Sequence, residues 1–225
     1  MSALDFRALR DAALREAEAR GGVDPEPPAH LADALGGSEH LETRLEARVR
    51  RGPEGWSLRS VLIESRKVAI LNLFVFPDGG AAAPVYAMEF VRFGPRGVVA
   101  VLDLVDLAPG CASGRALLDQ AHARWPELVN ADDAPDWYEE CRSGRDFFLR
   151  PSDPQRFSDL AAVHEALLRG ALDAQRASDA AEPAARDALA GYKRHHAAHS
   201  PGLPFLHRMW GEGFTTELLG GLLFA

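Results

Sequence analysis

The sequence predicts an α+β domain, a three-layer α/β/α sandwich around a central antiparallel β-sheet. Three observations predict it. Short β-rich runs follow one another across tight turns between Thr43 and Leu107, one of these runs is apolar on both faces, and segments of helical apolar spacing precede and follow the block.

The first helix opens on a capping box at Ser2 and Asp5, carries Leu4, Leu9, Ala13 and Ala17 at helical spacing, and stops at Gly21-Gly22. "VDPEPPAH" is a proline-rich connection, and "HLADALGG" adds a short helical turn. Strands are expected over Thr43–Arg51, Trp56–Glu64, Lys67–Pro77, Pro84–Phe93 and Gly97–Asp106. Their connections, two to six residues long, leave no room for crossover helices, so consecutive strands become antiparallel neighbours. In Lys67–Pro77, Leu71, Leu73 and Val75 fall on one face, and Phe74 and Phe76 on the other. A sheet open to water on one side would alternate, so this one is covered on both. Helices over Gly114–Arg124, Phe157–Ala174, Pro183–Ala198 and Gly211–Phe224 supply cover, with the irregular loop "NADDAPDWYEECRSGRDFFLRPSD" between the first two.

Length and composition restrict the function. A chain of 225 residues, 47% hydrophobic, suits a single domain over 1–225, expected to be a monomer. The formal net charge of −8 argues against a nucleic-acid partner, which calls for a basic surface. Cys111 and Cys141 are the only cysteines and form no CxxC, which suggests neither a disulfide framework nor a zinc or iron–sulfur site. The charged N-terminus lacks the apolar core of a signal peptide and no run reaches membrane-span length, so a cytoplasmic protein without a membrane partner is expected.

Candidate chemistry centres on a hairpin. If Pro77 pairs with Pro84 across the loop 78–83, Asn72 stands directly opposite Glu89. A preceding hairpin turning at Ser65-Arg66 would set Arg59 beside Asn72, and the same register puts Asp103 on the face opposite Glu89. A carboxyl in an apolar sheet face has its pKa raised by desolvation and can deliver a proton near neutral pH, whereas Arg59 would oppose that shift. Two readings of Glu89 stand: a proton donor, or one half of a structural ion pair. His195, His196 and His199 include a one-turn pair with metal-ligand spacing, but no third ligand is placed, and a solvated helix face is the plainer account. No metal is expected. Phe205, Met209, Trp210 and Phe214 are apolar enough to line a pocket or simply to pack the last helix.

These residues carry a resemblance. The segment "RSVLIESRKVAILNLFVFP…APVYAMEFVRFGPRGVVAVLDLVDL" resembles the central strands of the ferredoxin-dependent bilin reductases, in which a polar residue precedes "FP", a second proline follows, and an acidic residue comes a few positions later. Here those positions are Asn72, Pro77, Pro84 and Glu89. "PDWYEECRSGRDFFLRP" and "FLHRMWGEGFTTELLGGLLF" are similar to that family's aromatic-rich Arg-Pro loop and closing helix, in the same order from about Trp56 onward.

The resemblance implies a three-layer sandwich binding a linear tetrapyrrole, biliverdin or a dihydrobiliverdin, against the C-terminal helices. It also implies no bound cofactor: reduced ferredoxin supplies single electrons and side chains supply protons. Glu89 would be the principal donor, Asn72 would orient the pyrrole edge, and His199 or Ser200 would serve a second protonation. Arg59, Arg92 and Arg150 are candidates for the bilin propionates, Phe214 for the pocket wall, and Arg66, Lys67, Arg92 and Arg96 for a local basic patch facing an acidic ferredoxin.

The chain also departs from the pattern. The phycocyanobilin-forming branch has histidine and aspartate where Asn72 and Glu89 stand, and Glu89 is more similar to the related red chlorophyll catabolite reductases. Ser200 stands where several members have an aspartate. A bilin-binding protein that has lost reduction, and a reductase of an opened chlorophyll catabolite, are the alternatives. The reduced double bond is not fixed by these residues.

Overall fold

A computed structural model describes residues 5–38, 41–53, 55–80, 82–94, 97–108, 110–132, 134–151, 156–177 and 183–225. Seven strands form one sheet in chain order, every neighbouring pair antiparallel: β1 Asp33–Ser38, β2 Leu41–Arg51, β3 Ser57–Ser65, β4 Val68–Phe76, β5 Val85–Phe93, β6 Val98–Val105 and β7 Phe147–Leu149. The meander follows from the short turns. β1 and β7 are additions to the five expected strands.

The two-sided apolar pattern has its cover. On one face, α1 (Phe6–Ala19), α3 (Ser113–Arg124) and α5 (Arg156–Ala177) pack against Leu71, Leu73, Val75, Met88, Phe90, Leu102 and Leu104. On the other, α6 (Pro183–His199), α7 (Leu203–Trp210) and a π-helical stretch, Glu217–Leu223, pack against Val61, Ile63, Phe74, Phe76 and Ala87. The three-layer α/β/α sandwich is therefore the architecture found.

Several ends differ from expectation for identifiable reasons. Asp5 caps α1 by accepting from Ala8 N at 3.0 Å, while Ser2 and Leu4 lie outside the described residues. The predicted turn at "HLADALGG" overlaps the four-residue α2 (Ala29–Ala32), after which the chain extends into β1. Gly36 has a packing role there: a Cβ on it would lie 2.4 Å from Trp210 Cε2 and 2.8 Å from the Met209 carbonyl oxygen. Gly36→Ala is expected to lower stability by about 1–3 kcal/mol through overpacking, read as a lower urea midpoint. The expected last helix, Gly211–Phe224, starts after Gly211, whose φ of 85° no other residue type adopts cheaply, and consists of α8 (Glu212–Thr216) and the π-helical stretch, while α7 before it is an addition.

Under α1, Arg10 donates to Glu46 at 2.8 Å, and Arg7 joins the pair at 3.0 Å. Burial pushes the Glu46 carboxyl up, but the two guanidiniums outweigh it and hold it below its ordinary range. This ion network belongs to the helical face away from Glu89. Among the described residues no helix is long and apolar enough to cross a membrane.

Candidate functional site

The β4–β5 hairpin pairs Asn72 with Glu89, as the proline-bounded loop predicts. Their side chains share the sheet face covered by α6, α7 and the π-helical stretch, and both line a pocket of about 180 Å³. Its walls include Phe74, Leu219, Phe224 and Trp137, the last from α4 (Asp136–Glu139) in the loop expected to be irregular.

Burial alone raises the Glu89 pKa to about 7. Among the described residues the carboxyl has no hydrogen-bonding or ionic partner to oppose that shift, so at neutral pH a large fraction carries its proton. Asn72 Oδ1 is buried without a partner. So is His196 Nε2. Leaving such groups unpaired costs about 1–3 kcal/mol each, and two of them facing one cavity beside the Glu89 carboxyl is the signature of a site completed by a ligand.

His196 was hidden in the histidine cluster. On α6, Ala185, Leu189, Tyr192 and His196 form one buried stripe at helical spacing, and that stripe could have separated His196 from its neighbours. Its ring packs on Tyr192 at 4.3 Å, Phe224 at 5.6 Å and Phe74 at 5.8 Å. Burial, aided by His195, pushes its pKa down to about 3, so the imidazole is neutral and can exchange one hydrogen bond with a ligand through Nε2. The pocket thus offers one acid, one amide oxygen and one neutral imidazole.

The other candidates are distributed more widely. Ser200 lines the pocket, its Oγ accepting from Gly202 N at 3.3 Å. His199 is exposed beyond the pocket, Nδ1 3.0 Å from the His195 carbonyl oxygen, while His195 Nε2 is 2.8 Å from that of Trp137. Among the described residues no group of three or more His, Cys, Asp or Glu side chains is arranged to hold a metal ion. Phe214 stacks on Trp210 with ring centroids 5.8 Å apart, outside the pocket wall; Phe205 and Leu206 line it instead.

Three placements need correction. Arg59 pairs with Phe74, and Asn72 with Val61, because the β3–β4 turn is built on Arg66-Lys67, with Ser65 Oγ accepting from Val68 N at 2.9 Å. Arg59 shares the face but reaches away, to Asp78 at 2.7 Å and to the Leu222 and Ala225 main-chain oxygens at 3.0 and 2.6 Å. The structural ion pair considered for Glu89 is therefore absent: the partner of Arg59 is Asp78.

Arg92 lies on the opposite sheet face from Glu89, its guanidinium 5.4 Å from the Phe6 ring centroid. Arg150 follows β7, exposed, over the Phe148 ring at 5.3 Å. Arg66 and Lys67 are exposed at the hairpin turn, and Arg96 lies outside the described residues.

Asp103 is the third correction. Glu89 pairs with Val101 and Ala87 with Asp103, so Asp103 shares the face of Glu89 as its diagonal neighbour. Burial, with a contribution from Asp146, raises it to about 7 even though it accepts from Ser143 N at 2.9 Å and Leu104 N at 2.8 Å.

The solved structure of phytochromobilin synthase from tomato in complex with biliverdin has this fold. The match covers 98% of this chain and 83% of that one, with a TM-score of 0.80 and 18% identity. At that identity the likeness is one of fold. No family model and no curated protein matches the chain.

Proposed function

We propose that the protein is a ferredoxin-dependent reductase of a linear tetrapyrrole, biliverdin or a dihydrobiliverdin. The observation that carries this reading is the Asn72–Glu89 pair, unpartnered on the floor of a pocket between the sheet and the C-terminal helices. The fold likeness to a protein solved with biliverdin supports the choice of pigment.

Adding two electrons to a conjugated bilin requires two protons. Glu89, protonated in about half the molecules near pH 7, gives one to the reduced pigment and is recharged from solvent. Asn72 Oδ1 accepts from a pyrrole N–H, and neutral His196 fixes the ring edge through Nε2. Ser200 stands at the wall where a second proton could be passed, and exposed His199 is one turn from His195 rather than at the pigment. Reduced ferredoxin is the proposed electron source, so no bound cofactor is required. The site of electron delivery is left to the partner's docking.

The test is anaerobic mixing of the purified protein with biliverdin and reduced ferredoxin, followed by visible spectroscopy and product chromatography. A reductant-dependent shift of the bilin band with a new product is expected. A bound biliverdin spectrum that never changes would replace the reductase with a binding protein. Reduction confined to an opened chlorophyll catabolite would keep the chemistry and change the substrate.

A further inference from the structure

Across the Glu89 pocket from the sheet stands the start of α7, reached through the tight turn Ser200-Pro201-Gly202. The opening turn of a helix leaves backbone N–H groups without intrahelical partners, and here each can be accounted for. Gly202 N donates to Ser200 Oγ at 3.3 Å, and Leu203 N to the Ser200 carbonyl oxygen at 3.1 Å. Pro204 has no N–H, and Leu206 N begins the helical ladder on the Gly202 carbonyl oxygen at 2.9 Å. Phe205 N is left over: it has no hydrogen-bond partner among the described residues, and no side chain caps the helix.

The N–H groups of an α-helix point back along its axis, here toward Pro201 and Ser200, which line the pocket together with Gly202 and Phe205. The aligned peptide dipoles add positive potential at that end. A second group on the same side also calls for a ligand: His196 Nε2, on a side chain only 8% exposed, lines the same pocket and has no partner. The Ser200 hydroxyl accepts from Gly202 N and keeps its own proton to donate. The sheet side thus offers an acid and an amide oxygen, and the helix side offers donors. At about 180 Å³ the pocket is smaller than the roughly 300–1,000 Å³ that encloses a drug-sized ligand, so it takes one end of a linear tetrapyrrole. Each end ring of such a pigment is a lactam whose carbonyl oxygen is conjugated to the rest of the chain of rings.

We infer that the start of α7 is the seat of an end-ring lactam oxygen, which accepts hydrogen bonds from Phe205 N–H and Ser200 Oγ–H while Asn72 and Glu89 meet the ring from the sheet. The inference rests on the tetrapyrrole reading. During reduction two electrons from a one-electron donor and two protons enter the carbon and nitrogen framework, and no bond to this oxygen forms or breaks. Charge nevertheless reaches it, because the first electron makes the pigment a radical anion conjugated to the carbonyl. Donors already fixed by a turn bind that oxygen more strongly as its charge develops and need no reorganisation. They therefore lower the barrier more than they raise affinity for the resting pigment.

The test reads the carbonyl first and the rate second. In infrared difference spectra, biliverdin bound to the wild-type protein is expected to show one lactam C=O stretch at lower frequency than the pigment free in an aprotic solvent. Ser200→Ala should move that band back up, and Ser200→Thr, which keeps the hydroxyl, should leave it in place. Replacing Phe205 by its α-hydroxy acid analogue exchanges the amide N–H for an ester oxygen without altering the side chain, and it too should move the band up. Ser200→Ala and the ester are each expected to cut the single-turnover rate about 100-fold, with pigment affinity within roughly fivefold of wild type. A lactam band indifferent to both changes overturns the seat, and rates within roughly threefold of wild type overturn its part in the reduction. Band shifts as expected in a protein that binds biliverdin but never reduces it would keep the seat and remove the reductase. If the wild type binds no biliverdin, the tetrapyrrole reading falls and the seat falls with it.

Discussion

Glu89→Gln is expected to lower turnover of the bound pigment by about 100- to 10,000-fold while leaving its affinity within a small factor. The amide keeps the shape and a hydrogen bond but cannot give up a proton on demand. No other side chain lining the pocket is an acid near neutrality: His196 is held neutral by burial, Asn72 does not titrate, and the Ser200 hydroxyl is far weaker. In the wild-type protein the single-turnover rate should fall toward tenfold per pH unit above about 7, as Glu89 loses its proton. A flat profile between pH 6 and 9, or a Glu89→Gln variant that turns over at the wild-type rate, would remove Glu89 from the chemistry.

The same substitution should change stability in a pH-dependent way. The folded-state pKa of Glu89, about 7, exceeds its ordinary 4.5, so the native protein binds more protons than the unfolded chain between those values. The stabilisation linked to that proton is fully present below about pH 4.5 and is lost as pH rises through 7. Glu89→Gln removes this dependence. At pH 8 the variant should exceed the wild type by up to about 3 kcal/mol, an upper bound because the side chain keeps some exposure, and the difference should shrink at pH 5. Asp103, raised to about 7 chiefly by burial, contributes a slope of the same sign in both proteins and cancels from the comparison. Urea unfolding of the two proteins at pH 5 and pH 8 measures it; equal differences at both would contradict the burial of the carboxyl.

How far the sequence foretold this site depends on what set each placement. The Asn72–Glu89 pairing was legible because prolines bound its loop and leave one sensible register. Arg59 was misplaced by two positions because nothing in "ESRKV" distinguishes a turn at Ser65-Arg66 from one at Arg66-Lys67 until the Ser65 hydroxyl bonds are seen. Asp103 went to the wrong face for a related reason: one residue of register inverts a strand. β1 was obscured because "HLADALGG" reads as a short helical turn, although Gly36 is there to admit Trp210. β7, three residues long, is set by pairing with β6 rather than by its own pattern. His196 depended on which side of α6 faces the sheet, a tertiary fact that the stripe through Leu189 and Tyr192 only suggests.

The π-helical stretch Glu217–Leu223 has a consequence for how this chain can vary. An α-helix advances about 100° per residue and a π-helix less, so the wider turn acts as a one-residue count built into the backbone ahead of Phe224. Deleting one of the paired glycines, Gly220 or Gly221, would let the coil tighten toward an α-helix, and six residues at about 100° each turn through nearly the same angle as seven at the smaller π-helical step. Phe224 would therefore keep its place against Phe74, with composition and hydropathy hardly changed. The π-helical turn is thus a place where this segment can lose one residue and still deliver the residues beyond it to the same side of the sheet.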